Sequence, residues 1–326
     1  MKVLLTGANG FVGSHIFERL CARGLDTVIL LRPESSRRFL EPNLARAEVR
    51  LGSLGDDASL RGALRDVTHV IHAAGCIKAL RTREFYNVNQ AGTRALVQAI
   101  ATQGGRVRRL VHLSSQAAVG PAGTDRPARE EDEPRPVSEY GRSKLAGEAE
   151  VKESQTEWVI LRPPAVYGPR DIDFLRLFKA VRAHLLPYFD RGLQALSFAY
   201  VKDLANVCVE CLSHPTAASR LYHVAADEVV TARALTEMIA ALTKTWTVPL
   251  RLPGAVLWPV CVAQDLLSRL HGKPNVLSRQ KYSELRAPGW VCDSSRLHGE
   301  TGICCPTRLQ AGLAETLNWY RREGWL

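Results

Sequence analysis

The sequence predicts an α/β protein: a Rossmann-type, doubly wound parallel sheet with a smaller, irregular C-terminal substrate domain. Three observations support this prediction. Residues 2–5 form a short apolar run that ends in a glycine-rich turn, and further strand-length apolar runs alternate with helical patterns. The 326 residues are 46% hydrophobic and 23% charged, as in ordinary globular proteins. Strands that alternate with helices pair in parallel through right-handed crossovers, which gives a doubly wound sheet.

The predicted elements of the first half follow this alternation. The apolar runs of strand length cover residues 2–5, 27–31, 67–73, 110–114 and 158–161. Helical patterns at 11–23 and 89–101 lie between these strands. We therefore assign residues 1–165 to a Rossmann domain.

Beyond residue 165 the pattern is less regular, because prolines recur and the loops lengthen. We assign residues 166–326 mainly to substrate binding. A strand at 197–201 and the helix after it are expected to return to the sheet, so that residues 196–212 belong with the first domain. Amphipathic helices are predicted at 231–242 and 309–320.

The turn after the first strand has glycines at the spacing G-x-x-G-x-x-G. Gly7 permits a tight turn, Gly10 lets the backbone approach a pyrophosphate, and Gly13 allows helix and strand to pack closely. The helix that follows presents free N–H groups and a positive dipole end to phosphates. This position after an N-terminal strand favours dinucleotide binding over a simple glycine turn. The residues expected to contact the dinucleotide are Gly7, Asn9, Gly10, Phe11, Val12 and Gly13.

The end of the second strand bears on the choice between NADP and NAD. Versions of this fold that bind NAD place Asp or Glu there to hold the ribose 2′-hydroxyl. This chain has Leu31 and Arg32 instead, with Ser35, Arg37 and Arg38 close by. A planar guanidinium suits a 2′-phosphate. The sequence therefore favours NADP, with NAD as the second choice; the alternative is that Arg32 covers the adenine or lies in solvent.

Tyr140 and Lys144 are four residues apart at the start of a predicted helix, so both project from one face. A cation beside a tyrosine favours the phenolate and lowers its pKa from the usual value near 10. Such a tyrosine can exchange a proton with a carbonyl oxygen. Ser115 ends a strand at the carboxyl edge of the sheet, where ligands bind in such folds. The pair alone is a common helix pattern; together with this serine it predicts a reaction centre.

Together these residues resemble the extended short-chain dehydrogenase/reductase family, which includes epimerases and dehydratases. The resemblance covers nearly the whole chain. The matching segments are Thr6–Gly13, His72–Gly75, Asn89–Thr93, Ser114–Ser115, Tyr140 with Lys144, Arg162–Pro169 and Ser197–Ala205.

The resemblance implies a role for each matching residue. Ser115 corresponds to the serine that orients the substrate oxygen, with Ser114 as the neighbouring alternative. Tyr140 corresponds to the acid/base, and Lys144 is its partner and a ligand of the nicotinamide ribose. Asn89 corresponds to a residue that braces strand and helix. The remaining expected cofactor contacts are Ser53, Leu54, Ala73, Ala74, Gly75, Ser114, Tyr140, Lys144, Pro163 and Val166. The resemblance also implies a homodimer formed through the helix that carries Tyr140.

Departures from the family pattern narrow the reaction. Dehydratase members carry Asp-Glu after the catalytic serine or threonine, whereas Gln116 and Ala117 follow Ser115 here. Sugar-nucleotide members often read Val-Tyr-Gly where this chain has Ala118–Gly120, and epimerases usually hold NAD with the carboxylate that is missing at Leu31. The sequence around Ser115 is closer to the 3β-hydroxysteroid dehydrogenase and dihydroflavonol reductase branches.

We therefore expect an NADP(H)-dependent oxidoreductase that reduces a largely apolar ketone, or oxidises the alcohol in reverse. The alternatives are an NDP-sugar 4-epimerase and, in a different class, a non-catalytic protein that senses dinucleotides. The apolar residues available for substrate are Phe174, Leu175, Leu177, Phe178, Leu185, Leu186, Tyr188, Phe189, Trp246, Leu257 and Trp258; they could equally form only the core of the small domain. A basic loop with Lys78, Arg81 and Arg83 could meet an anionic substrate, although a solvated loop is the favoured interpretation.

Composition limits the other classes. The formal charge of +10 is spread along the chain rather than gathered in one basic block, so no nucleic-acid partner is expected. The first strand begins almost at Met1, and no apolar stretch reaches the ~18–20 residues of a spanning helix. We thus expect a cytoplasmic protein without an integral membrane segment. Residues 255–267 are expected to form a buried or lid helix, with contact to a membrane surface as the less favoured alternative. Cys208, Cys211 and His214 lack a second ligand pair, so no metal is predicted.

Overall fold

The computed structural model describes residues 1–189, 191–271 and 279–326. The strands in this part of the chain are β1 Lys2–Thr6, β2 Asp26–Leu31, β3 Ala47–Leu51, β4 His69–His72, β5 Arg109–Leu113, β6 Glu157–Arg162, β7 Ala165–Tyr167, β8 Leu185–Phe189, β9 Ala195–Tyr200, β10 Arg220–His223, β11 Val229–Thr231, β12 Val248–Leu252 and β13 Gly289–Trp290. The helices are α1 Phe11–Ala22, α2 Asp57–Ala63, α3 Thr82–Tyr86, α4 Thr93–Ala101, α5 Glu139–Lys152, α6 Ile172–Arg182, α7 Val201–Glu210, α8 Ala232–Thr243, α9 Gly254–His271, α10 Arg279–Leu285, α11 Ser295–Thr301 and α12 Leu309–Arg322.

The main sheet has seven strands in the order β10-β6-β5-β4-β1-β2-β3, and every neighbouring pair is parallel. The strand order reverses between β1 and β4, which is the switch point where ligands bind outside the carboxyl ends of such sheets. The predicted Rossmann-type fold is therefore confirmed. The strands predicted from residues 2–5, 27–31, 110–114 and 158–161 all lie in this sheet, within a residue or two of their predicted bounds.

Alternate residues of each central strand face opposite layers of helices. Val3 and Leu5 pack in a core with α1 and α7, whereas Leu4 packs with α2 and α4 on the other side. Successive strand side chains point to opposite faces, and both faces of a doubly wound sheet are covered. This explains why the strand sequences read as continuous apolar runs rather than as alternating patterns.

The strand predicted at 197–201 exists as β9, but the expectation that it returns to the main sheet is wrong. β9 pairs with β7, β11 and β13 in a second sheet, and β10 is the strand that joins the main one. Strand length and apolarity predict that a strand forms, but its partners depend on contacts distant in sequence. The helix that follows, α7, packs against α1, which agrees with the expectation that it belongs with the first domain. It buries Cys208 and Cys211 in that core.

Much of the apolar sequence that was available for a substrate forms a core instead. Leu175, Phe178 and Ile239 are buried together between α6, α8 and α12, and Phe174 and Leu177 are partly buried against them. Other members of the same set are exposed, notably Trp246 and Trp258. The side chain of Phe189 lies outside the described residues. The predicted helix at 255–267 lies within α9, and within the described ranges no helix is long and apolar enough to cross a membrane.

Candidate active site

The glycine-rich turn lies between β1 and α1 at the switch point of the sheet. Gly7 has a φ of +75°, a conformation that favours glycine, and a Cβ there would lie 2.6 Å from the backbone nitrogen of Ala74. A Cβ on Gly13 would lie 2.0 Å from the carbonyl oxygen of Gly7. The loop after β4 can approach the turn because Gly7 lacks a side chain, and α1 can pack against the turn because Gly13 lacks one. The exposed Gly10 and the half-buried Asn9, Phe11 and Val12 start α1 above this cradle, which fits a dinucleotide pyrophosphate at a helix N-terminus.

The loop Ala73–Gly75 is tied directly to β1. The Thr6 hydroxyl accepts a hydrogen bond from the backbone of Ala74 at 3.3 Å and pairs with Nδ1 of His72 at 2.7 Å. The other ring nitrogen of His72 pairs with Thr93 on α4 at 3.0 Å. His72 therefore joins two strands and a helix beneath the loop, and the pKa of this buried imidazole is lowered to about 3 by burial. The motif His72–Gly75 contained this residue, but the sequence alone gave it no role.

The residues predicted near the adenosine half lie at the carboxyl end of β2 and after β3. Arg32 directly follows β2, and its guanidinium is 65% exposed, with Nε 3.3 Å from the carboxylate of Glu34. The backbone N–H of Ser53 donates to the Ser59 hydroxyl at 3.1 Å, and Leu54 packs against Gly92. These contacts fix the course of the chain beside β2.

Ser114 and Ser115 have different environments, although both follow β5. The buried Ser114 hydroxyl donates to the carboxylate of Glu148, which also forms a two-pronged ion pair with Arg162 at 2.8 and 2.6 Å. Both charged side chains are almost fully buried. Ser115 is half-buried and accepts a hydrogen bond from the backbone of Ala117 at 3.1 Å. Ser114 therefore belongs to a buried polar network that sequence reasoning missed, and Ser115 is left facing the site.

Tyr140 lies one residue into α5 and is within hydrogen-bond reach of Ser115. Helix α5 comes this close because residue 141 is glycine: a Cβ there would lie 2.2 Å from the carbonyl oxygen of Ala117. Loss of hydration raises the pKa of the half-buried Tyr140 to about 12, and its hydrogen bond with Ser115 opposes this rise. The sequence-based expectation of a lowered pKa is thus wrong for the protein alone, because the desolvation of the phenolate outweighs the groups that favour it.

Lys144 lies one turn further along α5 and is buried. Its ammonium donates a 2.6 Å hydrogen bond to the carbonyl oxygen of Leu113, and a Cβ on Gly75 would lie 3.7 Å from it. Burial lowers the pKa of Lys144 to about 8, and the charge of Glu148 opposes this fall. The structure thus brings Lys144 between the end of β5 and the loop after β4.

Asn89 holds this loop from the opposite side. Its amide oxygen accepts from the backbone of Cys76 at 2.8 Å, and its nitrogen donates to the Cys76 carbonyl at 2.9 Å and to Ser143 on α5 at 2.8 Å. Asn89 is buried, and both N–H donors of its amide are used within the protein. These hydrogen bonds support the expected role of Asn89, which is to brace the loop after β4 against α5.

The last predicted cofactor contacts lie on the far side of Ser115. The carbonyl oxygen of Pro163 accepts from the backbone of Gln116 at 2.8 Å, and Val166 lies in β7, paired with Ala199. These contacts connect the reaction centre to the second sheet. Of the three basic residues predicted in the loop after β4, Lys78 forms an ion pair with Asp173 at the start of α6, with 2.7 Å between its ammonium and the carboxylate, whereas Arg81 and Arg83 are exposed.

A second group near Tyr140 escaped sequence analysis. Glu284 on α10 is buried and accepts a 2.6 Å hydrogen bond from the hydroxyl of Ser138, the residue that caps α5. Its charge adds to the rise in the pKa of Tyr140. No sequence signal links positions 138 and 284, because they are 146 residues apart and meet only through tertiary packing.

A parallel Rossmann sheet with this glycine turn and a serine, tyrosine and lysine at its carboxyl edge defines an enzyme of the short-chain dehydrogenase/reductase type. The chain belongs to the NAD dependent epimerase/dehydratase family, whose profile matches residues 3–225. It is accordingly an oxidoreductase-type enzyme that uses a nicotinamide dinucleotide.

Similar proteins include both reductases and epimerases. A ceramide reductase of Caulobacter vibrioides is 30% identical over 99% of this chain and 96% of its own length. A UDP-glucose 4-epimerase of Vibrio cholerae is 28% identical over 85% of this chain and 84% of its own. The solved structure of MoeE5 with UDP-glucose and NAD is 25% identical, with a TM-score of 0.77 and 99% of both chains covered.

Proposed function

We propose that the protein is an NADPH-dependent reductase that converts a lipophilic ketone into a secondary alcohol, and that it catalyses the reverse oxidation. One arrangement carries this proposal: the contact of Tyr140 with Ser115, next to a buried Lys144 and without an acidic pair after the serine. Gln116 and Ala117 occupy the positions of that pair, and the Gln116 amide donates to the carbonyl oxygen of Val291 at 3.0 Å. The site therefore has a proton donor for a carbonyl but lacks the extra acid and base of an elimination.

In the proposed mechanism, NADPH would, when bound, supply the hydride that reduces the carbonyl carbon. Tyr140 donates its phenolic proton to the carbonyl oxygen, to which the Ser115 hydroxyl also donates a hydrogen bond. The pKa of about 12 keeps Tyr140 protonated at neutral pH, which is the form that reduction requires. Lys144 holds the nicotinamide ribose and places a positive charge beside the phenolate that forms. As the substrate and cofactor arrive, this charge stabilises the phenolate.

The preference for NADPH is part of the same proposal. Arg32 supports it, because its exposed guanidinium directly follows β2, where NAD-binding relatives of this fold carry a carboxylate. The exposed pair with Glu34 is weak enough to open for a 2′-phosphate. The glycine turn, Ala73–Gly75, Ser53, Leu54, Pro163 and Val166 are the proposed contacts along the rest of the dinucleotide.

The substrate class follows from two considerations. The relative with the highest identity quoted above is a ceramide reductase, whose name indicates a lipid substrate. Lys78 is the half-buried basic residue of the loop beside the site, and Asp173 neutralises its charge. A neutralised lysine does not favour the binding of a sugar diphosphate. We therefore propose a long-chain ketone. We also propose that two chains associate through α5. Light scattering coupled to gel filtration tests whether the protein is a dimer.

The decisive experiment measures NADPH consumption with a long-chain aliphatic ketone and, separately, with UDP-glucose. Tyr140→Phe should lower turnover of the ketone by roughly 10²–10⁴-fold, whereas the Kd for NADPH, followed by fluorescence, should change far less because the other cofactor contacts remain. Val229→Gln changes an exposed side chain on β11 that is not among the proposed substrate or cofactor contacts, so it is the matched control and should keep full activity.

Two other outcomes would contradict the proposal. Tightly co-purifying NAD and interconversion of UDP-sugars without net NADPH use would indicate a 4-epimerase. Dinucleotide binding without turnover of any carbonyl compound would indicate a sensor.

A further inference from the structure

Helix α9 turns an apolar face to solvent. Four of its side chains, Val256, Val260, Leu266 and Leu267, are 44, 37, 60 and 46% exposed. Pro259 and Ala263 are also exposed. Positions 256, 260, 263 and 267 are three and four residues apart, so they form one stripe along the helix. We call the six exposed residues the α9 stripe.

The opposite side of the helix packs against the protein. Leu257, Cys261 and Ser268 are buried, which fixes the orientation of α9. The charged residue Asp265 lies roughly opposite the stripe on the helical wheel. Helices on an aqueous surface normally expose their polar side and bury their apolar side. Here the exposed side is apolar, which marks an interaction surface.

The strand before α9 also exposes apolar side chains. In β12, Val248 and Leu250 are exposed, and Leu185 of β8 lies in register with Val248. Trp246, just before β12, is 69% exposed. Since α9 begins two residues after β12 ends, the stripe and this strand face follow each other directly in the chain.

The same segment is strongly basic. Residues 244–286 contain seven Lys and Arg and two Asp and Glu, a net charge of +5 out of the +10 of the whole chain. Lys244, Arg251, Lys281 and Arg286 are exposed. Lys281 forms an ion pair with the buried Glu284, and the other basic residues supply the excess positive charge. Apolar side chains flanked by cations are the composition of helices that lie in the interface of an anionic bilayer.

We propose that the α9 stripe and the exposed face of β12 form a membrane-docking surface, with α9 lying in the plane of a bilayer that contains anionic lipids. A second copy of the chain fits this surface less well. A two-fold interface would bring the same patch of both copies together and place their excess positive charge face to face. Anionic headgroups complement that charge instead.

The surface connects to the reaction centre through two contacts. Trp258 of α9 packs edge-on against Tyr282 of α10, with 5.1 Å between the ring centres. Glu284 of α10 bonds the Ser138 cap of α5, the helix of Tyr140. A ketone carried on a lipid would thus meet the site close to the bilayer. This last step rests on the proposed function; docking itself does not.

Flotation of the full chain with vesicles tests the proposal. Vesicles of phosphatidylcholine and phosphatidylglycerol at about three to one should carry the protein upward, and phosphatidylcholine alone should carry much less. The combined variant Val256→Gln, Val260→Gln and Leu267→Gln should lower the vesicle partition coefficient by roughly a hundredfold. Val229→Gln removes an equally exposed apolar side chain on β11 and should float like the unchanged protein.

The remaining readouts make the test decisive. Circular dichroism and reduction of a short, water-soluble ketone should be unchanged in the combined variant, which separates docking from folding and from the proposed reaction. The proposal is overturned if the unchanged protein does not float with anionic vesicles, or if the combined variant floats equally well. It is also overturned if the three substitutions convert an oligomer into monomers by light scattering, because the stripe is then a contact between copies.

Discussion

The ammonium of Lys144 donates its 2.6 Å hydrogen bond to the carbonyl oxygen of Leu113, the last residue of β5. This contact anchors the lysine at the strand end that leads into Ser114 and Ser115. A buried ammonium with one carbonyl acceptor remains poorly solvated, and burial lowers the pKa of Lys144 to about 8. The protonation of this lysine therefore changes within an accessible pH range.

We predict that the rate of ketone reduction is level below about pH 8 and falls as the pH rises through that value. Lys144 is charged below its pKa and neutral above it, and only the charged form stabilises the developing phenolate. Initial rates of NADPH consumption, measured from about pH 6 to about pH 10, give this profile. Lys144→Arg should remove the alkaline fall, because arginine stays charged. An identical fall in Lys144→Arg would show that another group controls it.

Cofactor preference should depend on Arg32. We predict that Arg32→Ala raises the Kd for NADPH about tenfold or more and leaves the Kd for NADH nearly unchanged, because only NADPH carries the 2′-phosphate. Binding titrations with both cofactors give this ratio directly. Arg23→Ala is the control, since Arg23 is an exposed arginine at the far end of α1 paired with Glu210. An unchanged ratio in Arg32→Ala would refute the assignment.

Glu284 should affect the pKa at which Tyr140 exchanges its proton. Its charge raises the pKa of Tyr140, so Glu284→Gln should lower that pKa and shift the pH profile of alcohol oxidation downward by roughly half a unit. Oxidation is the informative direction, because it needs the phenolate as base. Ser138→Ala removes the same hydrogen bond but leaves the carboxylate; it should lower the free energy of unfolding by about 1 kcal/mol without this shift. Equal shifts in both variants would assign the effect to structure alone.

The buried ion pair of Glu148 and Arg162 should be important for stability. Glu148→Ala leaves the Arg162 guanidinium buried without its partner and leaves the Ser114 hydroxyl without its acceptor. We predict a loss of about 3–5 kcal/mol in the free energy of unfolding, measured by urea denaturation. The double variant Glu148→Leu with Arg162→Met should recover much of this loss, because the unpaired charge is also removed. A double variant as unstable as Glu148→Ala would contradict this explanation.

Several features of the fold and site could be predicted because their signals are local. The turn between β1 and α1, which are adjacent in sequence, requires glycine at positions 7 and 13. The apolar runs of β1, β2, β5 and β6 are each continuous in sequence. The spacing of Tyr140 and Lys144 places both side chains on one face of any helix. These predictions need no knowledge of which elements meet.

The features that escaped prediction depend on contacts between distant positions. β9 has the sequence of a strand, but its partners β7, β11 and β13 decide which sheet it joins. The family resemblance favours Ser115 and leaves Ser114 as the alternative, and the position of Glu148 on α5 is what commits the Ser114 hydroxyl to the buried network.

The sequence by itself thus determined the nucleotide turn, the parallel sheet and the residue types of the reaction centre, because local backbone geometry and side-chain periodicity specify them. The tertiary structure alone decided that the Ser114 hydroxyl is held in a buried network, that desolvation raises the pKa of Tyr140, and that α9 exposes apolar side chains to solvent. Burial, charge pairing and exposure are properties of the packed chain, and they depend on neighbours that sequence spacing does not reveal.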